Sequence, residues 1–347
     1  MDVDIMLDST TLFSKYYVCF KAVSDGWKEG CRRVIGLDGC FLKGIVRGEV
    51  LAAVGKDANN HIYPIAWDVV RVENKATWKL FIDLLMDDID GGLGAGITLL
   101  FDGHKGLLEA VKERFTGQHF KKLFWRIVKA STEQKFKHVM ENIKSLDTQA
   151  YDYLIDRDPT TWSKAFFKEG RDCDAVENGE NESFNSTIRH ARRKPIITML
   201  EEIRIFVMER ISSQRVEGIE RDLTICPSIR MLIQDLKSLL PYTDYGVDLI
   251  AKTCVCRIWQ LTGTPCLDGV VAIYSLNQDA ETYVSQSYSK KAYLKCYNYS
   301  INPLNGSDMW PEIPYRKNLP PKRRRLPGRP SVKRKRDAVE RELSGPM

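Results

Sequence analysis

Three short β-rich runs that begin at Val34 constrain the fold of this chain more than any other feature. The runs are RVIGLDGCFLKG, GEVLAAVGKDANN and HIYPIAWDVV, and Gly, Asn and Asp residues that favour turns separate them. They predict three neighbouring strands joined by hairpin-like connections, with Asn59–Asn60 as the turn between the second and the third. A sheet therefore forms the predicted core.

A helix, a strand and a further helix are predicted after these strands. Asn74 has the residue type that caps a helix, and it precedes KATWKLFIDLLMDDI, in which Trp78, Phe81 and Leu85 recur at helical spacing. ITLLFDG is typical of a buried strand that ends in Asp102, and KGLLEAVKERF predicts the next helix. Together with the three strands, these elements predict an α/β protein with a mixed sheet.

The rest of the chain divides into three stretches. Residues 120–218 predict a mostly helical extension, with a segment around Trp162–Phe167 and a long helix over Ile196–Glu220. Residues 245–276 predict short strands around a cysteine cluster. Beyond Trp310 the chain is rich in Pro, Lys and Arg, which predicts a disordered tail.

Composition excludes several classes of protein. The chain has 347 residues, of which 43% are apolar and 28% charged, so a disordered or fibrous protein is excluded. No stretch approaches the roughly 20 apolar residues that a bilayer span needs, and the first ten residues are acidic, unlike a signal peptide. Nine scattered Cys residues suit reduced thiols. We expect a soluble intracellular protein with neither a membrane partner nor a small-molecule substrate.

Positive charge is concentrated in the tail. The net charge is +6, yet residues 316–347 hold 12 Lys and Arg against three Asp and Glu. Pro327-Gly328-Arg329-Pro330 is similar to the core of an AT-hook, which predicts that Arg329 enters an A·T minor groove. Nuclear import or simple solubilisation explains the tail equally well. Its two basic clusters, which we also expect to contact DNA, are Lys322, Arg323, Arg324 and Arg325, and Lys333, Arg334, Lys335 and Arg336.

Two aspartates interrupt otherwise apolar strands. Asp38 lies in LDGC and Asp102 in FDG. A carboxylate in such a place is costly unless a cation or hydrogen bonds compensate, so the two are candidate ligands for Mg²⁺ in a phosphoryl-transfer site. The alternative is that each merely begins an Asp-Gly turn. Glu182 is the best candidate for a third carboxylate, with Asn185 on the same helical face; its alternative is a solvated acidic helix start.

These residues resemble a known family. VIGLDGCFLKG, AAVGKDANNHIYPIAW, ENKATWKLFIDLL, FDGHKGLLEAV and NESFNSTIRHARRKPIITMLEEIR are similar, in that order, to the transposase of plant Mutator-like elements (MULEs). The resemblance implies an RNase H-like core whose DDE triad cuts DNA and transfers strands with Mg²⁺ or Mn²⁺. Matched by motif, the triad is Asp38, Asp102 and Glu182.

The sequence departs from this family at one place. The family has a strand with a Cys-x-x-His motif and a further helix before KKLFW, whereas here residues 115–120 lead directly into Lys121–Trp125. The fifth strand of the sheet is therefore expected to be missing near residues 116–121. Because a sheet without a strand exposes backbone and apolar surface, we expect an impaired enzyme.

Cys254-Val255-Cys256 and Cys266-Leu267-Asp268 form a second constellation. Thiolates at this spacing suit Zn²⁺, and the segment resembles a SWIM zinc finger, whose pattern ends in Cys-x-His. Asp268 occupies the His position, so we expect weaker zinc binding. The alternative is a degenerate finger without metal.

The sequence thus predicts a MULE transposase-derived nuclear protein that binds DNA and zinc, with a homo-oligomer as a further expected partner. The rival is a domesticated, non-catalytic nuclear DNA-binding or regulatory protein, similar to the far-red-response factors derived from these transposases. The expected segments are an N-terminal remnant (1–29), the core with its helical extension (30–218), a connection (219–244), the degenerate finger (245–276), an extension (277–315) and the tail (316–347).

Overall fold

A mixed sheet forms the centre of the molecule. The computed structural model describes residues 5–7, 13–44, 47–91, 96–101, 118–173, 175–176, 179–239, 245–302 and 309. Its main strands in chain order are β1 (Ile5–Leu7), β2 (Phe13–Cys19), β3 (Val34–Phe41), β4 (Glu49–Lys56), β5 (Ile62–Val70) and β6 (Thr98–Phe101). Their spatial order is β1-β2-β5-β4-β3-β6, and all neighbours are antiparallel except β3 and β6. The predicted α/β class with a mixed sheet is confirmed.

The turn between β4 and β5 forms where the sequence predicts it. One carboxylate oxygen of Asp57 accepts the backbone N–H groups of Asn59 and His61, each at 2.8 Å. Asn60 has a φ of 61°, a left-handed conformation that Asn tolerates better than most residues. The side chains of the turn therefore fix the pairing of the two strands.

Helices surround the sheet and extend from it. Asn74 caps α2 as predicted: its side chain accepts the backbone N–H of Thr77, whose hydroxyl accepts the N–H of Asn74 in return. The helices are α1 (Lys21–Gly30), α2 (Lys75–Asp88), α3 (Gln118–Val128), α4 (Glu133–Leu146), α5 (Thr148–Ile155), α6 (Gly179–Thr187), α7 (Ile196–Glu220), α8 (Pro227–Ser238), α9 (Ile258–Thr262), α10 (Leu267–Ser275) and α11 (Lys290–Cys296).

Buried side chains gather in three main apolar clusters. The largest lies between the sheet and α1, α2, α6, α7 and α11, and includes Trp27 and Trp67. The second unites α3, α4 and α5 with Trp162, and we call residues 118–167 the helical unit. The third joins α8 to α10 through Trp259. We call residues 247–275, which hold β7 (Val247–Asp248), β8 (Thr253–Cys254), α9 and α10, the cysteine module.

Strand β2 and helix α1 were not predicted from the sequence, yet they belong to the largest core. β2 pairs with β5, and α1 packs against α11. The approach of these two helices depends on glycine, because a Cβ at Gly30 would lie 2.3 Å from the backbone nitrogen of Cys296. The first and last described helices are thus in direct backbone contact.

Two predictions of local structure need correction. The segment around Trp162–Phe167 forms two short 3₁₀ turns rather than a helix. The cysteine module contains two helices besides its short strands, since the Cys266 sulfur accepts the Gly269 N–H and caps α10. The predicted helix after Asp102 and the tail beyond Trp310 lie outside the described residues. In the described part of the chain, no helix is both long and apolar enough for a bilayer span.

Candidate functional sites

Asp38 is held by a side chain from a distant segment. It lies on β3 and is half-buried. Asn185 of α6 donates a hydrogen bond from Nδ2 to Asp38 Oδ2 at 2.7 Å, although 147 positions separate the two residues. The bond forms because α6 packs on β3, β4 and β5. The segments that carry the first and third predicted acids therefore meet in space.

Glu182 and Asp102 are placed less completely. Glu182 lies on α6 one turn before Asn185, and it is exposed. Asp102 lies outside the described residues. The structure does describe the end of β6, where Phe101 pairs with Leu37 in the parallel register. Asp38 and the helix of Glu182 are thus brought together, while Asp102 has no described position.

Arg192 ties α6 to the end of β3. Its guanidinium is almost fully buried and donates to two backbone carbonyls, Asn185 O at 2.7 Å and Phe41 O at 3.1 Å. Next to it, burial raises the pKa of the Cys40 thiol to about 11, although Arg192 acts in the opposite direction. Sequence reasoning missed this residue, because nothing in the run ARRK distinguishes the buried Arg192 from the exposed Arg193.

The four predicted zinc ligands converge. One sulfur each from Cys254, Cys256 and Cys266, and a carboxylate oxygen of Asp268, all lie within 4.8 Å of one another, and all four residues are buried. Asp268 Oδ2 lies 3.9 Å from the sulfurs of Cys254 and Cys266. Three sulfurs and one carboxylate oxygen at this separation fit a tetrahedral Zn²⁺ site.

The protonation of the cluster also suits a metal. Hydrogen bonding from Cys266 lowers the pKa of Cys256 to about 6, whereas the bond to Cys256 raises the pKa of Cys266. Burial raises the pKa of Cys254 to about 11. The backbone N–H groups of Cys256 and Gly269 donate to the sulfurs of Cys254 and Cys266, each at 3.4 Å. A bound zinc ion would displace the thiol protons of Cys254 and Cys266, the two groups whose pKa is raised.

Arg257 follows the second cysteine and joins the cysteine module to the helical unit. Its guanidinium donates to the carbonyls of Ser131 at 3.2 Å, Ala165 at 2.5 Å and Phe167 at 2.6 Å, and to a carboxylate oxygen of Glu169 at 2.7 Å. The residue itself adopts a left-handed φ of 66°. No sequence signal marked it, since its partners lie about 90 to 126 positions away.

The predicted DNA-contacting residues of the tail, including Arg329, lie outside the described residues.

Comparison with known proteins gives one positive result: residues 34–130 match the model of the MULE transposase domain. Neither the curated proteins nor the solved structures contain a match to the chain. The matched range covers β3 to α3, and thus the strand that carries Asp38. The chain therefore contains a MULE transposase domain at residues 34–130, and a transposase domain implies DNA as its partner.

Proposed function

We propose that this protein derives from a Mutator-like transposase with an RNase H-like core, and that Asp38, Asp102 and Glu182 are its DDE triad. The observation that carries the proposal is the match to the MULE transposase domain, because the matched range of 34–130 contains both aspartates. Three antiparallel strands followed by a strand parallel to the first support an RNase H-like core.

The strand register supports a shared site for the two aspartates. β3 and β6 are parallel neighbours, and their last described pair is Leu37 with Phe101. The next residues in the sequence are Asp38 and Asp102. Two carboxylates that each come directly after a paired position of adjacent parallel strands suit a common cation. Helix α6, which carries Glu182, packs on the same strand as Asp38.

The residues of the chain would prepare the site for DNA cleavage. Divalent ions held there would supply an activated water and would stabilise the leaving oxygen. Asn185 donates to one oxygen of Asp38 and so orients this carboxylate. Arg192 in turn fixes the backbone of Asn185 against the end of β3. We propose that Mg²⁺ or Mn²⁺ is the cation.

We also propose that cleavage is impaired. The chain lacks the family's segment between the second aspartate and KKLFW, and in the part of the sheet that the structure describes, β6 has β3 as its one neighbour. An edge at β6 leaves the strand before Asp102 with pairing on one side, which lowers the local stability of the site.

Manganese binding tests the triad apart from the activity. Electron paramagnetic resonance of Mn²⁺ measures the affinity of the parent chain, of Asp38→Asn and of the control Asp90→Asn, whose carboxylate is exposed and pairs with Lys28. We expect Asp38→Asn to weaken binding at least tenfold and the control to match the parent. Equal affinities in all three would refute the metal site. Rapid nicking of supercoiled DNA that depends on Asp38 would refute the proposed impairment.

We further propose that the cysteine module is a SWIM-type zinc finger and that the protein is nuclear. Three buried cysteines and Asp268 support the first proposal, and the two basic clusters of the tail support the second. Zinc content should approach one ion per chain in the parent and fall in Cys266→Ser. Deletion of residues 316–347 should abolish nuclear accumulation, and an unchanged distribution would contradict the role of the tail.

A second candidate is a non-catalytic nuclear regulator derived from the same transposases. The missing segment near residues 116–121 favours it, because a core that lacks this segment is expected to cleave DNA poorly, whereas a regulator does not need cleavage. A transcription reporter that carries the protein's target DNA distinguishes the regulator from the transposase. The regulator predicts that Asp38→Asn leaves reporter activity intact, and a loss of activity in this variant would contradict it.

A further inference from the structure

Two segments near Asp38 carry cations without any acid. Residues 41–48 and 183–200 contain no Asp or Glu, although acids outnumber Lys and Arg over the first 315 residues. The exposed cations of these segments form what we call the basic rim: Lys43, Arg47, Arg189, Arg193 and Lys194.

Direct contacts hold the two segments against each other. The backbone N–H of Lys43 donates to Arg192 O at 2.8 Å, and the Arg192 guanidinium donates to Phe41 O at 3.1 Å. The fit is close, since a Cβ at Gly44 would lie 2.8 Å from Arg193 O. The connection after β3 and the turn after α6 therefore lie against each other, and the exposed cations belong to adjacent segments.

The basic rim adjoins the proposed acidic site. Asn185 contacts Asp38 and is itself held by Arg192, which lies within the second segment. Lys43 lies two residues beyond the end of β3 and follows Asp38 by five positions, or about 16 Å if the chain stays extended. A polyanion bound along the rim would thus reach Asp38 without a change in the fold.

The charges of the rim are little neutralised by the protein. Among the residues that the structure describes, Lys194 alone of the five forms an ion pair, with Glu202. Neighbouring cations without counter-charges repel one another, and a bound polyanion relieves that repulsion. Exposed Arg and Lys side chains are also the groups that most often contact DNA phosphates.

We infer that the basic rim binds the phosphate backbone of duplex DNA and guides it to Asp38. The choice of DNA rests on the proposed function, but the charged surface does not depend on the triad. Phosphate contacts carry no sequence information, so this binding is independent of base sequence and sensitive to salt. The folded core then contributes to DNA binding besides the tail.

The salt dependence of binding measures the rim. The full chain and the triple variant Lys43→Gln, Arg189→Gln, Arg193→Gln are titrated with a duplex of random sequence in EDTA over a range of salt concentrations. Each cation removed should lower the slope of log affinity against log salt by about 0.9, or about 2.7 in all, and affinity at 0.1 M salt should fall up to about 500-fold. The matched control neutralises three exposed cations elsewhere, Lys137, Lys168 and Lys291.

A lysine footprint of the parent chain tests the same contacts without any substitution. Acetylation of lysines with and without the duplex, read by mass spectrometry, should protect Lys43 and Lys194 but not Lys137. Equal slopes for the rim variant and the control, or no protection of Lys43, would overturn the inference. A smaller salt slope in the triple variant, together with equal Mn²⁺ affinities of the parent and Asp38→Asn, would support the rim and refute the triad. Asp38-dependent Mn²⁺ binding with an unchanged slope would do the reverse.

Discussion

Arg257→Ala should detach the helical unit from the cysteine module. The guanidinium supplies four hydrogen bonds across this contact, three to backbone carbonyls and one to the exposed carboxylate of Glu169. The carbonyls come from the connection before α4 and from the end of the helical unit. No other described side chain of the module donates to so many groups of that unit, so the contact should depend strongly on this residue.

The structure sets the size of the effect. A carbonyl that loses its donor in a half-buried place costs about 1 kcal/mol, so three carbonyls cost about 3 kcal/mol. The pair with Glu169 adds less than about 1 kcal/mol, because half of that carboxylate side chain is exposed to solvent. Arg257→Ala should therefore weaken docking by about 3 to 4 kcal/mol. Arg257→Lys should lose about half of that, since an ammonium cannot reproduce the planar fork of donors.

Hydrogen exchange of the zinc-loaded chain measures the docking free energy directly. Amides of α4 that exchange through undocking should speed up by more than about 100-fold in Arg257→Ala, since 1.4 kcal/mol corresponds to about a factor of ten. The control is Arg221→Ala, which removes a partly exposed pair with Glu217 at the end of α7 and should change exchange little. If the two variants exchange alike, the guanidinium does not hold this contact. If Arg257→Lys equals the parent, charge rather than donor geometry is responsible.

Three further predictions concern stability and metal. Gly30→Ala should destabilise the protein by at least about 2 kcal/mol in urea unfolding, because the new Cβ meets the backbone of Cys296, whereas Gly179→Ala has nothing within 4 Å and should be neutral. Burial raises the pKa of Asp68 to about 6, so its protonated form favours folding. The resulting free energy of folding, up to about 3 kcal/mol, is complete below about pH 4 and is lost as the pH rises through about 6. Asp68→Asn should flatten that part of the profile of stability against pH. Asp268→His should hold zinc at least tenfold more tightly against a chelator, since imidazole is the softer ligand, and equal retention would contradict the assigned geometry.

Local sequence signals were sufficient for much of the fold. The alternation and turn residues of β3, β4 and β5 predicted three strands and the turn at Asn59–Asn60, which the Asp57 side chain closes. The cap at Asn74 and the periodicity of Ile196–Glu220 gave both helices. The spacing of the cysteines likewise predicted the four buried residues of the candidate zinc site. In each case the residues that decide the structure are close together in sequence.

Features that depend on distant partners could not be found this way. Arg192 and Arg257 are of a residue type that usually lies on the surface. Each holds two segments together only because its guanidinium donates to backbone carbonyls up to 151 positions away. The approach of α1 to α11 depends on a glycine whose neighbour is Cys296, and β2 pairs with β5, which is about 50 positions away. A single sequence shows the type of such a residue but not what it packs against.

The path of the chain links the cysteine module to the acidic site. The stretch after the helical unit contacts the module, where Gly170 N donates to Gln260 O at 3.3 Å. Beyond the module, the Ser285 hydroxyl donates to Asp172 at 2.6 Å. This stretch leads a few residues later into α6, the helix of Glu182 and Asn185. Arg192 fixes the far end of α6, and the contacts of Gly170 and Asp172 hold the described part of the stretch that precedes it. We therefore expect the cysteine module to position the stretch that leads to the proposed triad, whether or not the protein still cuts DNA.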